Sequence, residues 1–208
     1  MNRLREIQGP AGRLEVLLDE PPDVVRAAVV FAHPHPQFGG TMHTKAVYQG
    51  AKAFTRIGCE VLRFNFRGVG TSEGAWDEGR GEMDDFRAAL DVMRSRHPEV
   101  PLWAAGMSFG AWIALTAGAE DSSVTTLVGI APPLSRYDFE SVAASGKPKF
   151  FIQGERDEIC PLKEMYGFYS RCSDPKELVV IDGADHLFDG KVLEVGDAIE
   201  DLLGDWHD

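Results

Sequence analysis

The fold is decided by nine residues, AAGMSFGAW at positions 104–112, where a predicted strand turns into a predicted helix. The stretch overlaps the apolar run PLWAAGM (101–107) and places Ser108 between Gly106 and Gly110, in the pattern G-x-S-x-G. Glycines two residues either side of the serine let the helix and the neighbouring strand approach, because glycine has no Cβ atom. We therefore predict a sharp strand-to-helix turn, with the Ser108 hydroxyl projecting above the carboxyl end of a strand.

Strand-like and helix-like segments alternate along the rest of the chain. Strand patterns lie at 13–20, 27–33, 59–66, 101–107, 125–131, 149–154 and 177–182. Apolar residues recur at helical spacing at Met83, Phe86, Leu90 and Met93, and again at Val192, Val195, Ile199 and Leu202. The alternation predicts a doubly wound α/β protein: a mostly parallel sheet of about seven strands, the first antiparallel, with helices on both faces. Ligands of such sheets bind at the carboxyl ends of the strands.

The composition fits one soluble domain and argues against some partners. With 208 residues the chain is long enough for one core, so we predict a single domain over 1–208. A net charge of −12 argues against binding nucleic acid or an anionic membrane. The sequence contains no signal-peptide-like run and no stretch of about 18 apolar residues. Its three cysteines, Cys59, Cys160 and Cys172, form no CxxC pair, so we expect reduced thiols and a cytoplasmic location.

A base and an orienting acid are needed if the Ser108 hydroxyl is to act as a nucleophile. In doubly wound proteins with this turn, the chain order is serine, then acid, then histidine. Asp157 follows the strand pattern at 149–154, and His186 lies in the loop after the last strand. We predict that Ser108, Asp157 and His186 form a catalytic triad. Other acids compete for the middle role, namely Glu155, Asp182 and Asp185.

Three motifs together resemble the α/β-hydrolase superfamily. They are the turn around Ser108, the segment HPHPQFGGTM (33–42) and the segment NFRGVGTSEG (65–74). The resemblance runs from about residue 13 to the C-terminus, and it is closest to the small, lidless, dienelactone-hydrolase-like group. Dienelactone hydrolases proper use a cysteine nucleophile where this chain has Ser108. The resemblance therefore implies acyl-ester chemistry with a serine nucleophile.

Two backbone N–H groups usually stabilise the oxyanion that forms in acyl transfer. One is expected from the residue after the nucleophile, here Phe109, and the other from the loop after the strand at 27–33. Because Pro34 and Pro36 have no N–H, His35 is the first candidate in that loop, and Gln37 is the alternative.

A metal site is a weaker interpretation of the same loop. His33 and His35 form an H-x-H pattern that is able to chelate, but no cluster of Asp or His follows to complete a site. The glycines of RGVGTSEG (67–74) do not have phosphate-loop spacing, so we interpret this segment as a structural turn. Cys160 is interpreted as a structural thiol. We predict no metal and no cofactor.

The predicted function is serine hydrolysis of carboxylic esters or thioesters of small soluble substrates. A peptidase or acyltransferase with the same triad, and a non-catalytic binding protein with this fold, remain alternatives. Only Pro132 to Lys147 separate two neighbouring strand patterns, which leaves room for a short helix but not for a cap domain. Trp76, Tyr137 and Phe139 are the aromatic residues predicted to line the substrate cleft.

Overall fold

The computed structural model describes residues 4–206, which contain one eight-stranded sheet. The strands are β1 (Glu6–Gly9), β2 (Gly12–Asp19), β3 (Ala27–Ala32), β4 (Cys59–Phe64), β5 (Leu102–Met107), β6 (Val124–Ile130), β7 (Lys149–Gly154) and β8 (Lys176–Ile181). Their order in the sheet is β1-β2-β4-β3-β5-β6-β7-β8. The first two strands pair antiparallel, β2 is antiparallel to β4, and the other pairings are parallel.

Helices cover both faces of the sheet. They are α1 (Lys45–Arg56), α2 (Arg80–Arg96), α3 (Phe109–Glu120), α4 (Glu140–Ala144), α5 (Leu162–Arg171) and α6 (Val192–Leu203). Helices α1 and α6 pack on one face of the sheet through one buried apolar cluster. Helices α2, α3, α4 and α5 pack on the opposite face through a second cluster. Strands β3, β4, β5 and β7 are buried along their whole length, and β6 is buried except at Thr125, as expected for strands covered on both faces. None of the helices in residues 4–206 combines the length and apolarity needed to cross a bilayer.

The predicted fold class is confirmed, with one strand more than the seven sequence patterns. Each pattern corresponds to a strand, and the strand predicted to be antiparallel, β2, runs against β4. The additional strand, β1, has only four residues and pairs with β2 across a tight turn at Pro10 and Ala11. It is too short to show a period of its own, and its existence depends on pairing with β2.

The strand order creates a switch point beside β3. From β3 the chain moves to β4 on one side and then returns to β5 on the other side. The loops after β3 and β5 therefore run in opposite directions and leave a crevice at the carboxyl ends of these two strands. Ligands bind in this crevice in doubly wound sheets. Between β6 and β7 the chain forms only a loop and the five-residue helix α4, so no cap domain covers the crevice there.

Candidate active site

Ser108 occupies the sharp turn between β5 and α3 in a strained conformation. Its φ of 54° and ψ of −123° are rarely adopted by a residue with a side chain, and they direct the hydroxyl out of the turn. A Cβ atom at Gly106 would lie 2.1 Å from the Gly110 carbonyl oxygen, and one at Gly110 would lie 2.4 Å from the His33 carbonyl oxygen. Both positions therefore require glycine, which explains why the G-x-S-x-G spacing accompanies this turn.

The structure brings the three predicted triad residues together. The Ser108 hydroxyl lies 2.9 Å from His186 Nε2, and His186 Nδ1 lies 2.8 Å from Asp157 Oδ2. The Asp157 side chain is fully buried, whereas 11% of the His186 side chain is exposed toward the crevice. A carboxylate only accepts hydrogen bonds, so Nδ1 carries the proton that faces Asp157 and Nε2 is free to accept from Ser108. Such an arrangement is able to draw the proton from the serine.

Asp157 is held rigidly by its neighbours. Its Oδ1 atom accepts the backbone N–H groups of Ile159 (2.9 Å) and Cys160 (2.7 Å). Its Oδ2 atom accepts the Gln153 Nε2 group at 3.0 Å in addition to His186. Four donors on a buried carboxylate fix its orientation.

The competing acids have other partners. Glu155 accepts the Gly183 N–H at 2.8 Å, and Asp185 accepts the N–H groups of Leu187 and Asp189, both at 3.0 Å. Asp182 is exposed. Of the four candidates for the triad acid, only Asp157 is hydrogen-bonded to the His186 ring.

The two N–H groups predicted to form an oxyanion hole, those of His35 and Phe109, are unpaired within residues 4–206. In the loop after β3, the N–H groups of residues 37–40 all donate to His35 or Pro36. The N–H of His35 has no acceptor in residues 4–206, and the same is true of Phe109 at the start of α3. Free donors next to a serine hydroxyl are what an oxyanion hole requires. Gln37, the alternative, donates its N–H to His35 Nδ1 at 3.2 Å.

His33 anchors this loop from below. Its ring is fully buried, Nδ1 lies 2.6 Å from the Pro34 carbonyl oxygen, and Nε2 accepts the Phe66 N–H at 3.1 Å. Burial lowers the pKa of His33 to about 4, so the ring is neutral near neutral pH. The side chain therefore joins the loop after β3 to the end of β4, and both ring nitrogens are used in doing so.

The burial of neutral His33 predicts a loss of stability in acid. Its pKa is about 4 in the folded chain against 6.5 for the free side chain, so the unfolded chain binds more protons between these values. The free energy of unfolding should therefore fall as the pH drops from 7 to 4, by about 3 kcal/mol from this group. We expect urea unfolding of His33→Gln to show a pH dependence weaker by about that amount. The exposed His43, changed to Gln, is the matched control; equal pH dependence in both variants would contradict the assignment.

A cavity of about 370 Å³ opens beside Ser108 and His186. We call it the Ser108 cavity; the other residues lining it are Pro34, His35, Phe38, Phe109, Pro133, Arg136, Tyr137, Ile159 and Leu187. Of the predicted lining aromatics, only Tyr137 is among them. Its ring stacks on Trp112 with centroids 4.2 Å apart, which fixes the wall on that side.

The prediction that Phe139 lines the cleft is wrong. Its side chain is buried in the core, with its ring centroid 5.7 Å from that of Phe168, because the turn into α4 directs it away from Tyr137.

The prediction that Trp76 lines the cleft is also wrong. Trp76 packs behind the cavity wall, against the rings of His35 (4.7 Å) and Phe109 (5.3 Å).

Several lining residues were not predicted from the sequence. Phe38, Ile159 and Leu187 are large apolar side chains that are exposed at the rim. Ile159 and Leu187 closely follow Asp157 and His186 in the chain, so their proximity to two predicted triad residues was the sequence signal for them. Arg136 directly precedes Tyr137 in the loop after β6.

The ligand-type side chains at this site are poorly suited to bind a metal ion. Among residues 4–206, ligand-type atoms of Asp157, Cys160 and His186 lie within 4.8 Å of one another. Two of these residues are hydrogen-bonded to each other, and Cys160 Sγ donates to the Ala131 carbonyl oxygen at 3.2 Å. Burial, followed by the Asp157 charge, raises the pKa of the Cys160 thiol, which disfavours the thiolate that a metal needs.

Fold and site together define the class of protein: an α/β hydrolase without a lid. The chain belongs to the family whose model is described as serine aminopeptidase, S33, which matches residues 23–147. An uncharacterized protein of Rickettsia prowazekii is 36% identical to it, over 94% of this chain and 86% of that protein.

Two solved structures show the same similarity. A homologue of α/β serine hydrolases from Coxiella burnetii is 37% identical, with a TM-score of 0.92 over 98% of both chains. A lidless α/β serine hydrolase from Xanthomonas campestris is also 37% identical, with a TM-score of 0.86 over 94% of this chain and 90% of that one.

Proposed function

We propose that the protein is a cofactor-independent serine hydrolase that cleaves carboxylic esters or thioesters of small soluble acyl substrates. The observation that carries this proposal is the pair of hydrogen bonds from Ser108 to His186 (2.9 Å) and from His186 to Asp157 (2.8 Å). They lie at the wall of a cavity whose volume of about 370 Å³ is near the lower end for small-molecule sites.

In the proposed mechanism, Ser108 Oγ attacks the substrate carbonyl carbon while His186 Nε2 takes its proton. The N–H groups of His35 and Phe109 hold the resulting oxyanion. His186 then gives the proton to the departing alkoxide or thiolate, which leaves an acyl group on Ser108. A water molecule, deprotonated by the same imidazole, releases the acid and restores the serine. Asp157 stabilises the imidazolium formed in each half of the cycle.

A peptidase is the second candidate, because the matched family model carries the description of a serine aminopeptidase. An aminopeptidase must bind the cationic amino terminus of its substrate, for which a carboxylate is the usual partner. No Asp or Glu lines the Ser108 cavity among residues 4–206, and Arg136 does. This charge pattern favours ester substrates over peptides with a free amino terminus. Acyl transfer to another alcohol would use the same groups, and a non-catalytic binding role would not need them.

The proposed setting is the cytoplasm, with a small molecule as the only partner required. Cys59, Cys160 and Cys172 are all buried free thiols, which fits a reducing compartment. The net charge of −12 disfavours nucleic acid as a partner.

The length of the acyl chain tests the proposed substrate class. Beyond the cavity, a long chain would lie on the exposed side chains of Phe38, Ile159 and Leu187, where it would remain partly hydrated. Each fully buried CH₂ group contributes only about 0.8 kcal/mol, so partial burial adds little. We expect hydrolysis of p-nitrophenyl acetate and butyrate, with kcat/KM falling by the dodecanoate and unaffected by EDTA. A rate maximum at long chains, or a jump above the micellar threshold, would contradict the proposal.

A further inference from the structure

Arg136 is the one fixed positive charge among the residues that line the Ser108 cavity in the described range 4–206. It lies on the loop after β6, next to Tyr137, in a chain that carries a net charge of −12. Most arginines in the described residues have a side-chain hydrogen bond or ion pair. The three without one are Arg5, Arg136 and Arg156, and only Arg136 faces the cavity.

The acids nearest to Arg136 in the chain have other partners. Asp138 accepts the Glu140 N–H at 2.8 Å at the start of α4. The Glu140 carboxylate lies 2.6 Å from Arg171 Nη1. Among residues 4–206 the guanidinium of Arg136 therefore has no ion-pair partner, although Asp138 in its loop and Glu140 at the start of α4 both carry carboxylates.

The backbone on either side of Arg136 is fixed. Its N–H donates to the Pro133 carbonyl oxygen at 3.0 Å, in a tight turn that follows Pro132. The next residue, Tyr137, is stacked on Trp112. Burial and then the Arg136 charge lower the pKa of His35, so the guanidinium field reaches the loop that carries the free N–H group.

We propose that Arg136 is a specificity-determining residue that binds a carboxylate on the substrate, so that the preferred substrates are esters or thioesters carrying a second, ionised carboxyl group. This inference rests on the proposed hydrolase function and names its substrate class. One guanidinium forms a bidentate pair with a carboxylate and balances its single charge. A phosphate group carries up to two charges and three acceptor oxygens, and no second fixed cation lines the cavity in residues 4–206 to bind it.

The test compares matched ester pairs that differ in the carboxylate. On the acyl side the pair is mono-4-nitrophenyl glutarate and 4-nitrophenyl valerate. On the leaving-group side it is 4-carboxyphenyl butyrate and its methyl-ester analogue. For each pair, the ratio of kcat/KM for the anionic to the neutral ester is measured in wild type, Arg136→Gln, Arg136→Glu and Arg5→Gln. Arg5 is the matched control, because it is exposed, has no side-chain partner within residues 4–206 and lies outside the cavity.

We expect the ratio to fall about tenfold in Arg136→Gln for at least one pair, and further in Arg136→Glu, while Arg5→Gln keeps the wild-type ratio. Added salt should reduce the wild-type ratio, since the guanidinium is exposed. Unchanged ratios in both Arg136 variants for both pairs would overturn the inference, and Ser108-dependent cleavage of the neutral esters would then leave the proposed function standing.

If no ester is cleaved, a binding measurement tests the carboxylate site at Arg136 independently of the proposed hydrolase function. Monomethyl glutarate and methyl valerate are titrated by calorimetry into Ser108→Ala protein, with and without Arg136→Gln. Tighter binding of the carboxylate that Arg136→Gln abolishes would support the anion site even if the hydrolase proposal failed. Equal binding of both ligands in both proteins would overturn it.

Discussion

Ser108→Ala is expected to lower kcat/KM for p-nitrophenyl butyrate by about 10⁴-fold or more, to the level left by binding and oxyanion contacts alone. The hydroxyl is the only group on the serine that reaches His186 Nε2, at 2.9 Å, and alanine removes that group while keeping the Cβ atom. The measurement is the initial rate at matched concentrations of folded protein.

Ser108→Gly provides the control for folding in this experiment. At a φ of 54° a side chain is strained, typically by about 1–3 kcal/mol, and glycine removes that strain. We expect Ser108→Gly to be as inactive as Ser108→Ala and to melt no lower than wild type. Undiminished turnover in either variant would contradict the assignment of Ser108 as the nucleophile.

Asp157→Asn is expected to lower kcat by about 10⁴-fold, because it changes the tautomer of the His186 imidazole. We expect little effect on KM. The N–H groups of Ile159 and Cys160 require an acceptor where Oδ1 now lies, so the asparagine oxygen should take that place. Its NH₂ group then faces His186 Nδ1. The proton must move to Nε2, where it blocks the hydrogen bond from Ser108.

Glu155→Gln is the matched control for the carboxylate. Glu155 lies two residues from Asp157, and its one hydrogen-bond donor among residues 4–206 is the Gly183 N–H at 2.8 Å, which a glutamine oxygen also accepts. We expect its kcat to stay within about twofold of wild type. A loss in Glu155→Gln comparable to that in Asp157→Asn would contradict the choice of acid.

The elements that position the site could be predicted because strong local constraints specify them. A Cβ atom at Gly106 or Gly110 would lie only 2.1 or 2.4 Å from a backbone carbonyl oxygen, so both positions need glycine, and the G-x-S-x-G spacing predicts the turn at Ser108. The parallel strands are continuous apolar runs because they are buried on both faces. Since carboxyl ends of parallel strands meet at one edge, residues that are distant in the chain, such as Asp157 and His186, could be expected there.

The parts that were not predicted depend on tertiary contacts. Strand β1 exists through its pairing with β2, and four residues show no pattern of their own. Phe139 and Tyr137 are both aromatic and lie two residues apart, yet the turn into α4 directs one to the core and the other to the cavity. Arg136 belongs to no motif, and its position at the cavity is set by the tight turn after Pro132.

Labelling with a fluorophosphonate, followed by peptide mapping, tests the central claim most directly, because the reagent forms a stable bond to an activated serine. The account predicts a single adduct per chain, located on Ser108, absent from Ser108→Ala and much slower to form in His186→Ala. An adduct on another residue, or equal labelling of Ser108→Ala, would contradict it.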